Sequence, residues 1–227
     1  MLKINQIDFS WSKTAQSCLN ALSLAVAPQE SVALIGDNGA GKSTLLRLMA
    51  GLLQPTQGEI HVQGESLATL KARQRARLIG VLFQEAEHQI LHSQVYTEVA
   101  FGLRLQKRPE AEIRQRTEAA LALCGLEKIA QAHPLDLHVA QRRMVAVASL
   151  EAMAPPLILL DEPSRDFDAY WLAIFERWLT GCKRRGDTIV AISHDYDFAR
   201  RHFPRVVRLS EGRISQDGSP EQLLVNA

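Results

Sequence analysis

The chain has 227 residues, 46% of them hydrophobic, and a formal net charge of +1. That is ample apolar material for one globular domain or two small ones, and it excludes an overall basic field of the kind that draws nucleic acid or an anionic membrane. No apolar run approaches the roughly 18–20 residues that span a bilayer, no N-terminal stretch reads as a secretory signal, and Cys18, Cys124 and Cys182 lack metal-ligand spacing, as expected of reduced thiols in a cytosolic protein.

Leu2 and Ile4, then Ile7, Phe9 and Trp11, alternate with polar residues, as do Leu22, Leu24 and Val26. Both stretches predict half-buried strands, antiparallel to one another. The residues leave two readings of Trp11 open: a structural aromatic at a strand end, or a platform on which an adenine ring stacks.

Residues 32–35 predict a buried strand and residues 45–50 a helix, and between them lies Gly36-Asp37-Asn38-Gly39-Ala40-Gly41-Lys42-Ser43-Thr44. This is the G-x-x-x-x-G-K-[ST] arrangement of a phosphate-binding loop. Glycines let the backbone turn so that successive N–H groups point at phosphate oxygens. The following helix adds its positive end to the same anion. Lys42 would reach the β- and γ-phosphates, Ser43 would ligate Mg²⁺, and Thr44 would help hold the α-phosphate. The motif specifies a nucleoside triphosphate, not the use made of it.

Gly58-Glu-Ile60-His-Val62-Gln-Gly64 predicts a short strand bracketed by glycines. Lys71, Arg73, Arg75 and Arg77 fall on alternate residues, but the intervening alanines favour a helix with a solvated face rather than a nucleic-acid site. Residues 78–83 predict a buried strand ending at Gln84. From 85 to about 133 the texture becomes helical: Ile113, Thr117, Leu121 and Cys124 recur at helical spacing and Gly125 is a helix stop. Residues 157–160 predict a strand ending in Asp161-Glu162. Trp171, Phe175, Trp178 and Cys182 form a helical core stripe. Residues 188–192 predict a strand ending in Ser193-His194. Two short strands, 206–209 and 213–215, follow with a turn at Glu211-Gly212.

Gly36, Gln84, Asp161 and His194 thus each follow an apolar strand. In a parallel α/β sheet, ligands bind at the carboxyl ends of the strands, so these residues are expected to converge on one nucleotide. Asp161 would hold Mg²⁺. Glu162 is placed to orient or deprotonate the attacking water. Gln84 would contact Mg²⁺ and that water, and His194 would hydrogen-bond the γ-phosphate.

Gln84, residues 137–141, Leu159-Leu160-Asp161-Glu162-Pro163 and Ser193-His194-Asp195, in that order, resemble the nucleotide-binding subunit of an ABC transporter over essentially the whole chain. The resemblance implies an α/β P-loop NTPase fold: a single ATP-binding domain over 1–227 with a RecA-like core, an antiparallel β subdomain and a helical subdomain at about 86–150. It implies ATP and Mg²⁺ as cofactors, Trp11 stacked on adenine, and Asp168 in the D-loop. It implies head-to-tail pairing, as a homodimer or with a second ABC ATPase subunit, that sandwiches ATP between one P-loop and the partner's signature motif. Integral membrane transporter subunits would be the other partners, with this chain peripheral on the cytoplasmic face and no nucleic acid bound.

Phe83-Gln84-Glu-Ala-Glu-His-Gln89-Ile-Leu, followed by Val95-Tyr-Thr-Glu-Val99-Ala-Phe-Gly102, is similar to the energy-coupling factor branch, which imports vitamins such as biotin and cobalamin, or cobalt and nickel ions. That branch has Pro-Asp where this chain has Ala86-Glu87. The chain stops after Pro220-Glu-Gln-Leu-Leu, so it is expected to lack most of the C-terminal domain often found there.

The signature expected as LSGGQ is Leu137-His138-Val139-Ala140-Gln141. A hydroxyl donor is gone, and Val139 and Ala140 add Cβ atoms where backbone must approach phosphate. One lost hydrogen bond to a charged group costs on the order of 1.5–3 kcal/mol. The D-loop carries Arg165 and Phe167 where the family has smaller residues. These changes spare the chain's own P-loop, Asp161, Glu162 and His194, which predicts asymmetry: a competent site when a partner supplies an intact signature, and weak ATPase activity in a homodimer. Two other functions remain in view, a regulatory subunit that binds nucleotide with little turnover and a soluble ABC ATPase outside transport. Export also stays open beside import.

Overall fold

The computed structural model describes residues 1–12, 17–85 and 89–224. The Ala86-Glu87 replacement lies outside them.

Strands β1 (Leu2–Phe9), β2 (Leu19–Val26), β4 (Gln57–Val62) and β5 (Glu65–Ser66) form an antiparallel four-stranded sheet in the order β2-β1-β4-β5. The alternation of β1 slips between Ile4 and Ile7, where Gln6 takes a left-handed φ of 44° and a bulge interrupts pairing with β2. The bulge returns Ile7 and Phe9 to the buried face.

The second sheet holds β3 (Ser31–Ile35), β6 (Ile79–Leu82), β7 (Leu157–Asp161), β8 (Thr188–Ile192), β9 (Arg205–Ser210) and β10 (Arg213–Gly218), in the order β10-β9-β3-β8-β7-β6. All neighbours run parallel except β10, which folds back on β9. Glu211 and Gly212, with φ of 48° and 74°, make the predicted turn between them.

Because both faces of this sheet are covered, its central strands β3, β7 and β8 are buried at every position and apolar at nearly all of them. Val32, Leu34, Leu159 and Val190 face α1 (Lys42–Met49) and the antiparallel sheet. Ala33, Ile35, Ile158 and Ala191 face the opposite way, against α5 (Val139–Met153) and α6 (Ala169–Arg185). Of the stripe predicted on α6, Phe175, Trp178 and Cys182 are buried while Trp171 is only partly so, and Trp178 Nε1 donates to Glu151 Oε2 at 2.9 Å. Full burial of a side chain such as Phe175 contributes roughly 1.5–3 kcal/mol. Burial pushes the Cys182 thiol up to about 12, so it is an inert core residue.

The basic run lies on α2 (Ala72–Leu78), which has no buried residue, and is the solvated face expected of it. The helical segment consists of α3 (Val95–Leu105), α4 (Glu110–Leu123) and α5. On α4 the stripe of Ile113, Thr117 and Leu121 is buried, and Gly125 ends the helix at φ 71°. Two short helices, α7 (Tyr196–His202) and α8 (Pro220–Leu223), complete the chain. Among the described residues no helix is long and apolar enough to cross a membrane.

Candidate nucleotide site

A cavity of about 690 Å³ opens at the carboxyl ends of β3, β6, β7 and β8. The loop residues Asn38, Gly39, Gly41, Lys42, Ser43 and Thr44 line it together with Gln84, Asp161, Glu162, Arg165 and His194 from the strand ends, and with Trp11 and Cys18.

The loop between β3 and α1 owes its shape to its glycines. Gly36 sits at φ 141°, and a Cβ there would lie 2.1 Å from the carbonyl oxygen of Leu209. Gly41 is the N-cap of α1 at φ 101°, and its Cβ would lie 2.7 Å from Leu19 Cδ2. No side chain caps α1 and no acidic residue lies in its first turn, so its N-terminal N–H groups and positive dipole end are left for an anion. Gly36, Asp37 and Ala40 shape the loop without lining the cavity: Lys42 Nζ donates to the carbonyls of Gly36 at 2.6 Å and Asp37 at 2.9 Å, and Ala40 N–H donates to Asp37 O at 3.2 Å. Burial lowers the pKa of Lys42, opposed by Glu162, Asp37 and Asp161. Thr44 is buried, with the Cys18 thiol 3.5 Å from its hydroxyl.

Asp161 ends β7. Burial, then the neighbouring Glu162, raise its pKa, while Arg143, Arg47 and Lys42 pull it back. Glu162 takes a left-handed φ of 48°, fixed by its N–H donating to Ile192 O at 3.0 Å. Its carboxylate accepts the His194 N–H at 3.1 Å and lies 3.5 Å from His194 Nε2. Trp11 is 57% exposed and meets Phe9 edge-on at 5.3 Å, so a face of its ring is open.

The donor set suits Mg²⁺. Ser43, Gln84 and Asp161 bring a hydroxyl, an amide and a carboxylate to one cavity. A hard cation that takes few protein ligands beside phosphate and water fits such a set.

Residues 137–141 and Asp168 stand apart from the cavity. His138 is the N-cap of α5, and its N–H donates to Gln141 Oε1 at 3.1 Å. Val139 is 44% exposed beyond it, whereas Ala140 is only 8% exposed. Asp168 caps α6, its carboxylate accepting the Trp171 N–H at 2.9 Å.

Arg143 is not among the residues singled out from the sequence. The structure makes it the knot of the site. Buried on α5, it donates through Nη1 to Gln84 O at 2.6 Å and through Nη2 to Asp161 O at 3.1 Å and Glu162 O at 2.6 Å. Its guanidinium lies 5.8 Å from the Phe167 ring centroid. The signal was present in the sequence: Arg143 falls four and seven residues before Val147 and Leu150, on the buried stripe of its helix.

A glycine-rich loop opening a helix, opposite an acidic pair at a parallel strand end, defines a P-loop nucleotide-binding protein. Residues 19–165 match the family described as ABC transporter, and the chain belongs to that family as an ABC-type ATPase cassette. It is 32% identical over 213 residues to the energy-coupling factor transporter ATP-binding protein EcfA2 of Acetivibrio thermocellus, covering 93% of this chain and 76% of that one. Its fold matches CbiO1 of Clostridium perfringens, described as part of the ABC transporter complex cbiONQ, with a TM-score of 0.87 at 28% identity over 99% of this chain and 90% of that one. It also matches the ATP-binding cassette MJ0796, solved as a dimer in a post-hydrolysis state with ADP and Pi, with a TM-score of 0.87 at 26% identity over 97% of this chain and 99% of that one. The chain spans 39% of the length of Staphylococcus aureus ABC transporter ATP-binding proteins to which it is 33% identical over 224 residues.

Proposed function

We propose that this chain is the ATP-binding and ATP-hydrolysing subunit of an importer of the energy-coupling factor type, for a vitamin such as biotin or cobalamin or for cobalt or nickel ions. The observation that carries the reading is the meeting of Lys42, Ser43, Gln84, Asp161, Glu162 and His194 around one cavity. Similarity to EcfA2 and CbiO1 supports the importer branch.

In this reading the loop N–H groups and Lys42 cradle the phosphates, and Trp11 stacks on the adenine. Ser43 and Asp161, with Gln84 beside them, would hold Mg²⁺, which supplies charge neutralisation at the β- and γ-phosphates. Glu162 accepts the proton of the attacking water, and His194, tied to that carboxylate, donates to the γ-phosphate. Arg143 keeps Gln84 and Glu162 in fixed relation. The chain acts at the cytoplasmic face of a membrane, bound to integral membrane subunits and paired head to tail with a second cassette. The asymmetric arrangement follows from residues 138–140: the chain donates a complete P-loop and base, and a partner with an intact signature completes that site.

A regulatory subunit with low turnover is the second reading, and the altered signature favours it. Reconstitution with the membrane subunits separates the two. The importer reading predicts ATP hydrolysis coupled to uptake of one of these cargoes, both lost in Glu162→Gln. ATP binding with negligible hydrolysis in every assembly would favour the regulatory reading.

A further inference from the structure

We propose that Arg165 is a phosphate-binding residue of the chain's own nucleotide site, a second cation that grips the terminal phosphate of a nucleoside triphosphate in the cavity it shares with Lys42. The proposal rests on the reading of the cavity as an ATP site. Directly after β7 the chain reverses. Glu162 and Asp166 take left-handed φ values of 48° and 65°, and the Arg165 N–H donates to Glu162 O at 3.2 Å, closing a tight turn over Pro163 and Ser164. The turn carries Arg165 back to the cavity, which it lines with Lys42, Glu162 and His194.

Its guanidinium is available there. The Arg165 side chain is 55% exposed, and its ion contact among the described residues is with the adjacent Asp166, Nε to Oδ1 at 3.7 Å. A long contact between two exposed side chains holds an arginine weakly, so turning it onto a phosphate forfeits little. Arg143 is the opposite case, its guanidinium committed to the carbonyls of Gln84, Asp161 and Glu162. Lys42 Nζ is engaged by loop carbonyls and faces two carboxylates, Asp161 and Glu162, in the same cavity. A terminal phosphate entering between those carboxylates needs positive charge on their side. Arginine meets a phosphate through two parallel N–H···O bonds. Arg165 closes the turn headed by Glu162, the residue proposed to activate the water that attacks the γ-phosphate, so its grip falls on that phosphate and distinguishes triphosphate from diphosphate.

Equilibrium binding of a non-hydrolysable ATP analogue and of ADP, each with Mg²⁺, to the full chain tests this in wild type, Arg165→Ala and Arg165→Lys. Arg165→Ala is expected to weaken analogue binding about tenfold while ADP binding stays within about twofold, which also shows the variant is folded. Arg165→Lys is expected to recover part of the loss. Equal effects on both nucleotides, or none on either, would overturn the proposal. So would a loss confined to protein concentrations at which the chain dimerises, since Arg165 would then act on a partner's nucleotide. Wild type that binds neither nucleotide would overturn the ATP-site reading itself, and this inference with it.

Discussion

Buried polar groups around the cavity are set against stability. The pKa of Asp161 is raised, chiefly by burial, so its ionised form is the costly one in the folded chain. Stability from the protonated form is present at acid pH and is lost as pH rises through the folded value. Asp161→Asn removes that cost at neutral pH. The nucleotide-free variant is expected to melt about 2–4 °C higher than wild type by calorimetry, with its Mg²⁺-dependent ATPase activity lost. Glu162→Gln keeps the shape of the side chain and one acceptor oxygen but removes the proposed base. Hydrolysis is expected to fall about a hundred- to ten-thousandfold while ATP binding is retained, as steady-state turnover and equilibrium binding will report. Arg143→Met strips three carbonyls, one buried and two part-buried, of their donor and is expected to cost about 3 kcal/mol in urea denaturation, whereas Arg143→Lys recovers part of it. The P-loop and acidic pair were legible because their residue types are dictated by phosphate and cation chemistry. For Arg143 only the burial was legible, from its helical spacing; its role was not, because its partners are backbone carbonyls, and a carbonyl leaves no mark in a sequence.

The predicted elements formed where a periodicity or a buried apolar run marked them, and parallel topology then fixed where their ends meet. This is why Gly36, Gln84, Asp161 and His194 were traceable to one end of one sheet before any geometry was known. The bulges escaped prediction, since Gln6 and Ala21 adopt left-handed backbone although neither residue type advertises it. The helix capped by Asp168 was expected, but the cap itself was not, because the side chain's local partner is visible only in three dimensions. Packing of the P-loop against β9 yields a firm prediction. Gly36→Ala places a Cβ 2.1 Å from Leu209 O, and the variant is expected to lose about 1–3 kcal/mol in a denaturant titration, with nucleotide binding weakened as the loop shifts.

The antiparallel sheet and α1 cover one face of the parallel sheet, and the helices that follow β6 cover the other. ATP would thus contact both layers at once: Trp11 from the first, the strand ends from the second, and Gln84 from the junction with the helical segment. Arg143 ties α5 to Gln84 and Glu162 together, so the element that opens with the altered signature is linked directly to the proposed base. The asymmetric account holds that this base is competent and that residues 138–140 are what limit a homodimer. Steady-state ATP hydrolysis by the purified chain, compared with the variant His138→Ser, Val139→Gly, Ala140→Gly, tests it most directly. The account predicts slow turnover by wild type and about a tenfold or greater rise on restoring the signature, abolished when Glu162→Gln is added. Equal rates from the two proteins would contradict it.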